Sequence, residues 1–436
     1  MKRIYQYPLI FGVILLGMVI CIALAAKFPK SSIEFNSQKS ATYLYEKEDL
    51  FHELVKGQKL TTLDNYADSI LLNIVYSLDS EKPLQSALLA SYYKEDWQNA
   101  DEAYYLTTNE HLEPNLPYTR YWHGEMIFIK LLLMLMDIRG IRLLSAGVML
   151  LLVCLLGALL IKKEEKLLLV VFLMGLMITS AFIVPLCLEY ISTFLVMLTA
   201  CITVLLVAEK KEDKWLPIFL VSGMLTAFFD FLTTETLTLT MPLIMLLIVR
   251  QKRGLLKDFK SGFRLSLRIG ILWASGYILT WVAKWGISSV VLKTNVFLDA
   301  FKQAEARTVG QASGGLIEQC AKAVFRNIAL LLPFNFTKTY GEAMLLAFGV
   351  GFILFCIWFL YRKKQHEAWF LKLLLLIGLI PYIRYSVMSN HAYLHYFFTY
   401  RAQLVTLTVL GYAFFGSLDK NLFMKDMRWA TGRSKK

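Results

Sequence analysis

Apolar runs long enough to cross a hydrocarbon core of about 30 Å, about 17–22 residues for most of them, recur along the whole chain. They are Pro8–Ala26, Ile141–Ile161, Leu167–Leu186, Tyr190–Ala208, Trp215–Leu232, Leu237–Val249, Leu265–Ile287, Gly341–Tyr361, Leu371–Pro381 and Ala402–Leu418. Short polar stretches separate most of them, and lysine and arginine collect there. No segment alternates apolar and polar positions as the strands of a membrane barrel do. The pattern predicts an all-α, polytopic membrane protein with about ten transmembrane helices.

One long polar segment interrupts this rhythm between residues 27 and 123. Acidic residues outnumber basic ones sixteen to nine from Lys27 to Glu125, the reverse of the whole-chain balance. Within it, Leu63–Leu78 has the periodicity of an amphipathic helix, and Pro114 and Pro117 mark a turn before Tyr118. Gly124–Ile138 is apolar but short and carries Lys130, which favours a helix lying in the membrane interface. With that segment on the surface, every basic cluster falls on one side. The clusters are Lys162–Lys166, Glu209–Lys214, Arg250–Arg253, Arg362–Lys364 and the tail. The cytoplasmic segments as a whole, the N-terminus and the remaining loop residues included, hold about 23 Lys and Arg against about nine Asp and Glu, as the positive-inside rule requires. The chain thus divides into a first membrane helix (1–26), an extracytoplasmic loop of interfacial helices (27–140), a transmembrane domain (141–418) and a basic cytoplasmic tail (419–436). Both termini are expected in the cytoplasm and the protein in the plasma membrane.

Composition adds limits. Hydrophobic residues make up 57% of the 436, against about 45–50% in an ordinary soluble domain. The net charge of +13 forms no basic stripe interleaved with aromatics, so nucleic acid is not an expected partner. The six cysteines contain no CxxC pair and imply neither zinc nor disulfide chemistry. Ala23-Leu24-Ala25 resembles a signal-peptide cleavage site, but the run before it is longer than a signal core, so an uncleaved helix is expected.

Given this orientation, polar residues from distant parts of the chain converge on the outer face. Asp64 and Asp68, four apart, share one face of a helix. Two such carboxylates can coordinate a divalent cation, or one can act as general base with its pKa raised by the other. Arg120 and His123 stand among Tyr118, Tyr121 and Trp122, where the cation suits a phosphate and the rings a sugar face. Asp230 lies among phenylalanines at the end of a membrane segment, with Glu235 just beyond, and an acid so placed needs a partner. His391 and His395, at i and i+4 in an aromatic stretch ending at Arg401, could bind a metal or hydrogen-bond phosphate. No carboxylate follows them to complete a zinc set, and no resident metal is expected. Glu189 and Arg384 fall on the same side.

Phosphate-cradling glycine loops, a dinucleotide fingerprint, HExxH and GxSxG are all absent, so no site for a cytoplasmic nucleotide donor is expected. Asn335-Phe336-Thr337 matches the glycosylation sequon on the outer side.

A first helix, a long acidic outer loop of interfacial helices and then many membrane helices resemble the GT-C superfamily of integral-membrane glycosyltransferases. The blocks Arg120–Gly124, Phe228–Thr233 and His391–Arg401 resemble segments of Gram-positive bacterial membrane proteins of this type. The resemblance implies a polyprenyl-phosphate sugar donor and an envelope glycan, lipid or protein acceptor. It implies Asp64 or Asp68 as the catalytic acid position and Arg120, Arg384 or Arg401 as the phosphate ligand. The acids here are spaced DxxxD, not adjacent or DxD. A transporter or lipid flippase would use Asp230 and Glu189 as intramembrane relays, but shows internal repeats that are not evident here. A non-catalytic component of an envelope-polymer assembly is the third reading.

Overall fold

A computed structural model describes residues 6–47, 49–308, 315–332, 340–361 and 368–419. The N-terminal Met1-Lys2-Arg3, the sequon at Asn335, the Arg362–Lys364 cluster and residues 420–436 lie outside them. Helix is the regular structure of the described residues, which otherwise form turns and loops and hold two isolated backbone bridges. Helix α1 (Gln6–Lys27) leads into an outer layer of α2 (Glu34–Tyr45), α3 (Asn65–Tyr76), α4 (Pro83–Leu89), α5 (Ala100–Asn109) and α6 (Met126–Leu133). Then come α7 (Ile138–Lys162), α8 (Lys166–Ile178), α9 (Leu188–Val207), α10 (Glu212–Phe229), α11 (Leu237–Lys252) and α12 (Phe259–Leu292). The chain continues with α13 (Val296–Thr308), α14 (Leu316–Ala329), α15 (Tyr340–Tyr361), α16 (Ala368–Gly378) and α17 (Ile380–Val387). Short α18 (Ser389–Leu394) and α19 (Tyr396–Thr399) precede α20 (Leu404–Ser417).

Among the described residues five stretches are long and apolar enough to cross a membrane: α1, α7, α9, α12 and Ala368–Val387. Several leave large apolar side chains outside, such as Leu9 and Val13 on α1 and Leu143 and Leu150 on α7. Water would oppose that arrangement and lipid favours it, so the protein is membrane-embedded. α12, at 34 residues, is about 51 Å long at 1.5 Å per residue and overshoots the core.

Two expected spans differ in form. Leu167–Leu186 is helical only to Ile178. Ser180 then turns into the left-handed region (φ 49°), and Ala181–Leu186 follows as a 3-10 segment containing Pro185, which lacks the N–H a continuous helix needs. Leu371–Pro381 belongs to two consecutive helices, α16 and α17, with Pro381 in the first turn of the second. The short Gly124–Ile138 segment yields α6, eight residues and far too short to span.

The crossing helices run up and down in sequence. At one end Lys163 pairs with Glu209 (2.8 Å), Lys252 with Glu165 (3.3 Å), Arg253 with Glu209 (3.4 Å) and Arg268 with Glu212 (2.6 Å). Gly416, near the end of α20, meets Leu167 at the start of α8, so α20 also ends there. The outer layer closes the opposite end. It is anchored by Trp122, whose indole donates to Thr280 O (2.9 Å), and by the buried Lys284, which donates to Leu88 O (2.8 Å).

α10 and α12 pack closest of all. A Cβ on Gly223 would collide with the Trp273 carbonyl, and one on Gly276 with the Leu220 carbonyl. Paired small residues of this kind let membrane helices touch backbone to backbone.

Candidate functional site

α3 exists because Leu71, Leu72, Val75 and Tyr76 bury one face and Asp64 caps its start, accepting from Ala67 N (3.0 Å). That cap brings Asp64 to the outer ends of the membrane helices. There the α3 face, the Tyr118–His123 loop, the start of α9, the end of α13 and the α18–α19 turn enclose a cavity of about 470 Å³. Aromatic rings dominate its wall, among them Tyr66, Tyr118, Tyr121, Phe231 and Phe397. Its polar groups include Asp64, Glu189, Lys59, Arg307, His123, His391 and His395. Asp64 and the His391–Phe398 stretch, more than 300 residues apart, thus share one chamber.

The two acids of the DxxxD pair have different fates. Asp68 is wholly buried and holds Arg142 of α7 (2.8 Å) while accepting from Leu188 N (2.8 Å). It stitches α3, α7 and α9 together and does not line the chamber. Asp64 does, and also accepts from the Tyr190 hydroxyl (2.8 Å). Burial pushes its pKa up to about 6, hydrogen bonds from Ala67 and Tyr190 notwithstanding. Next to it is Glu189, in the first turn of α9. Its carboxylate faces the chamber and takes part in no hydrogen bond or ion pair among the described residues. Asp64, Asp230, Asp68 and Glu125 are all near enough to repel its charge.

The cations are distributed just as unevenly. Arg384 donates to Glu235 (2.7 Å) and Leu232 O (2.6 Å) and meets His391 Nδ1 (3.2 Å), so it orients the imidazole from behind the wall. Arg401 is buried, stacked on Tyr190 and Tyr400, and donates to Phe397 O (3.1 Å). Arg120 lies over Tyr118, 3.8 Å from Asp299. None of these three lines the chamber. The lining cations are Lys59, paired with Glu53 (2.6 Å), and Arg307, whose guanidinium bonds the Tyr121 hydroxyl, forms no ion pair among the described residues and feels the charge of Glu189.

Asp230 closes the turn after α10, accepting from Thr193 (2.6 Å), Leu232 N (2.8 Å), Thr233 N and the Thr233 hydroxyl. The histidines are held neutral. Burial pushes His123 down to about 3 and His395 to about 4, and burial next to Arg384 holds His391 well below the usual imidazole range. Neutral imidazoles offer hydrogen bonds to a ligand without adding charge. His123 and Leu232 both adopt left-handed backbone, a conformation that clusters at functional sites. Among the described residues no three His, Cys, Asp or Glu side chains come close enough to share a metal ion.

Arg307, Lys59 and Tyr190 carry no motif in the sequence. The signal for Arg307 was faint: one arginine near the end of an amphipathic helix in an outer loop. No protein-family model, curated protein or solved structure matches this chain.

Proposed function

We propose that this protein is a membrane glycosyltransferase of the GT-C type, moving a sugar from a polyprenyl-phosphate carrier to a cell-envelope acceptor at the extracytoplasmic face. The observation that carries this reading is the unpaired carboxylate of Glu189 in an aromatic-walled chamber that also contains Arg307. Gathering of the described cations Lys163, Lys252, Arg253 and Arg268 at the opposite end is consistent with basic loops on the cytoplasmic side.

The acceptor hydroxyl oxygen attacks the anomeric carbon while its proton passes to Glu189. The bond from that carbon to the phosphate oxygen breaks with its electron pair, and polyprenyl phosphate leaves. Arg307 meets the departing phosphate with a planar fork of donors. Asp64, adjacent to Glu189, keeps the pair's affinity for a proton in the range a base at neutral pH needs. The rings stack on the sugar and exclude water.

The test is transfer of labelled sugar from polyprenyl phosphate by purified protein in lipid nanodiscs. Wild type is expected to turn over and Glu189→Gln to fall about 10²–10⁴-fold, the usual contribution of a general base. Wild-type rates in both Glu189→Gln and Asp64→Asn would overturn the reading.

A further inference from the structure

Arg384 does more than brace His391. A guanidinium only donates hydrogen bonds, so His391 Nδ1, 3.2 Å from Arg384 Nη2, has to accept. A neutral imidazole with an accepting Nδ1 carries its proton on Nε2. Turning the ring over would set a carbon against the guanidinium. Arg384 is itself tied down, its Nε donating to Glu235 (2.7 Å) and its Nη2 also to the Leu232 carbonyl (2.6 Å). Leu232 presents that carbonyl from left-handed backbone (φ 66°), a conformation bulky residues rarely take. The chain Glu235–Arg384–His391 thus fixes one tautomer from behind the wall.

His391 lines the chamber, and no described residue accepts from its Nε2–H. The rings of His395 and Phe398, with centroids 4.7 and 5.9 Å from its own, hold the imidazole in place. Arg307, on the same wall, is near enough for its charge to oppose protonation of both histidines. A donor that cannot accept, close to a guanidinium that also only donates, suits a ligand group made of acceptors alone. Anionic phosphate oxygens are such a group. A sugar hydroxyl both donates and accepts, would be served by either tautomer, and gives no reason for the lock.

We infer that His391, locked as an Nε2–H donor by Glu235 and Arg384, is the second ligand of the phosphate held by Arg307. This rests on the transferase reading for the phosphate's source, the lipid carrier, and deepens it. One phosphate oxygen accepts from His391 Nε2–H and others from the Arg307 fork. No proton changes hands, and the phosphate leaves as an anion. Arg384 acts through His391 and is a positioning residue.

Calorimetric binding of farnesyl phosphate, a short carrier, to full-length protein in maltoside micelles tests this, with farnesol and inorganic phosphate in parallel. Glutamine can set an amide N–H where Nε2–H was, whereas asparagine reaches only the level of Nδ1. His391→Gln is expected to bind farnesyl phosphate within about threefold of wild type, and His391→Asn about ten- to a hundredfold more weakly, as for one lost hydrogen bond to a charged group. Farnesol should bind all three proteins alike. Undiminished farnesyl phosphate binding by His391→Asn, or an equal loss of farnesol, would overturn the inference, because an imidazole that only packs affects both ligands. Better binding by His391→Asn than by His391→Gln would put the proton on Nδ1 and do the same. Inorganic phosphate bound as tightly as farnesyl phosphate would overturn the carrier as its source. In nitrogen-15 spectra of histidine-labelled protein, the signals lost in His391→Gln should be pyridine-type for Nδ1 and pyrrole-type for Nε2, and the opposite assignment would refute the lock. Binding that depends on His391, without sugar transfer from any carrier, would leave the phosphate site standing and sink the transferase reading. Transfer by His391→Asn at the wild-type KM would do the reverse.

Discussion

Asp68 Oδ2 accepts a hydrogen bond from Arg142 Nη2 at 2.8 Å, joining the outer layer to the first helix of the membrane domain in a contact almost closed to solvent. The Arg142 guanidinium also donates to Asn65 at 2.8 Å. Removing one partner of a buried pair strands the other's charge, at a cost of about 3–5 kcal/mol. Asp68→Asn and Arg142→Met should each lower the unfolding midpoint of the purified protein markedly. The double replacement should be less damaging than either. Single variants as stable as wild type would show the pair to be incidental.

Asp64 and Glu189 separate by assay. Glu189→Gln should leave folding intact, since no contact is lost, and take turnover down by two orders of magnitude or more. Asp64→Asn keeps a side-chain oxygen for the helix cap and should cost activity less. If Asp64→Asn alone abolishes transfer while Glu189→Gln is active, the two roles are exchanged.

The Asp64 carboxyl should make activity and stability respond oppositely to pH. Its folded pKa of about 6 exceeds the unfolded value near 3.9, so the native state binds the proton better across that window. Falling pH therefore removes the penalty of a buried charge and stabilises the fold relative to Asp64→Asn, while protonation of the Asp64–Glu189 pair switches off the base. The acid limb of kcat/KM should move in Asp64→Asn, and thermal midpoints of wild type minus Asp64→Asn should rise as pH drops from 6 to 4. His123, pushed down to about 3, acts in the opposite sense below about 6.5, and the difference against the variant cancels it. A difference flat with pH would place Asp64 outside the titrating pair.

Orientation is open to single-cysteine labelling with a membrane-impermeant reagent in a cysteine-free background. Ser80→Cys, in the outer layer, should react in intact cells and Lys163→Cys should not. Reaction at residue 163 from outside would invert the topology and with it the side on which the donor is met.

At the α10–α12 contact the smallest possible change should be felt. Gly223→Ala adds one methyl where the Trp273 carbonyl already sits. Overpacking of this kind typically costs about 1–3 kcal/mol, to be read as a lowered thermal midpoint. An unchanged midpoint would mean that the two helices part easily.

Much of this arrangement was legible from hydrophobic period alone. The α3 helix, the short α6 and the described basic residues at one end follow from spacing, length and charge placement, all local properties. The shared chamber of Asp64 and the His391 stretch was also within reach, because membrane sidedness confines such residues to one plane. Asp68's engagement was not, since Arg142 at a helix start reads as a cation reaching for the interface. Glu189, between two apolar runs, was one of several acids placed at the outer face and a relay only in the transporter reading, and only packing reveals that no described residue pairs with it. Arg384 and Arg401 looked like phosphate ligands because a sequence shows charge but not whom it faces. The early end of α8 hid behind the apolarity of residues 181–186, which gave Pro185 no contrast.

That early end has a mechanical implication. α8 has 13 residues and its antiparallel neighbour α20 has 14, about 20 Å of helix each against a core of about 30 Å. A bilayer meeting this flank has to thin, and its headgroups descend toward the level where Tyr400 hydrogen-bonds Thr179 O (2.8 Å). Hydrophobic mismatch costs fractions of a kcal/mol per Å, enough over such a shortfall to make the protein prefer short-chain membranes and to draw it into thinner domains of the envelope.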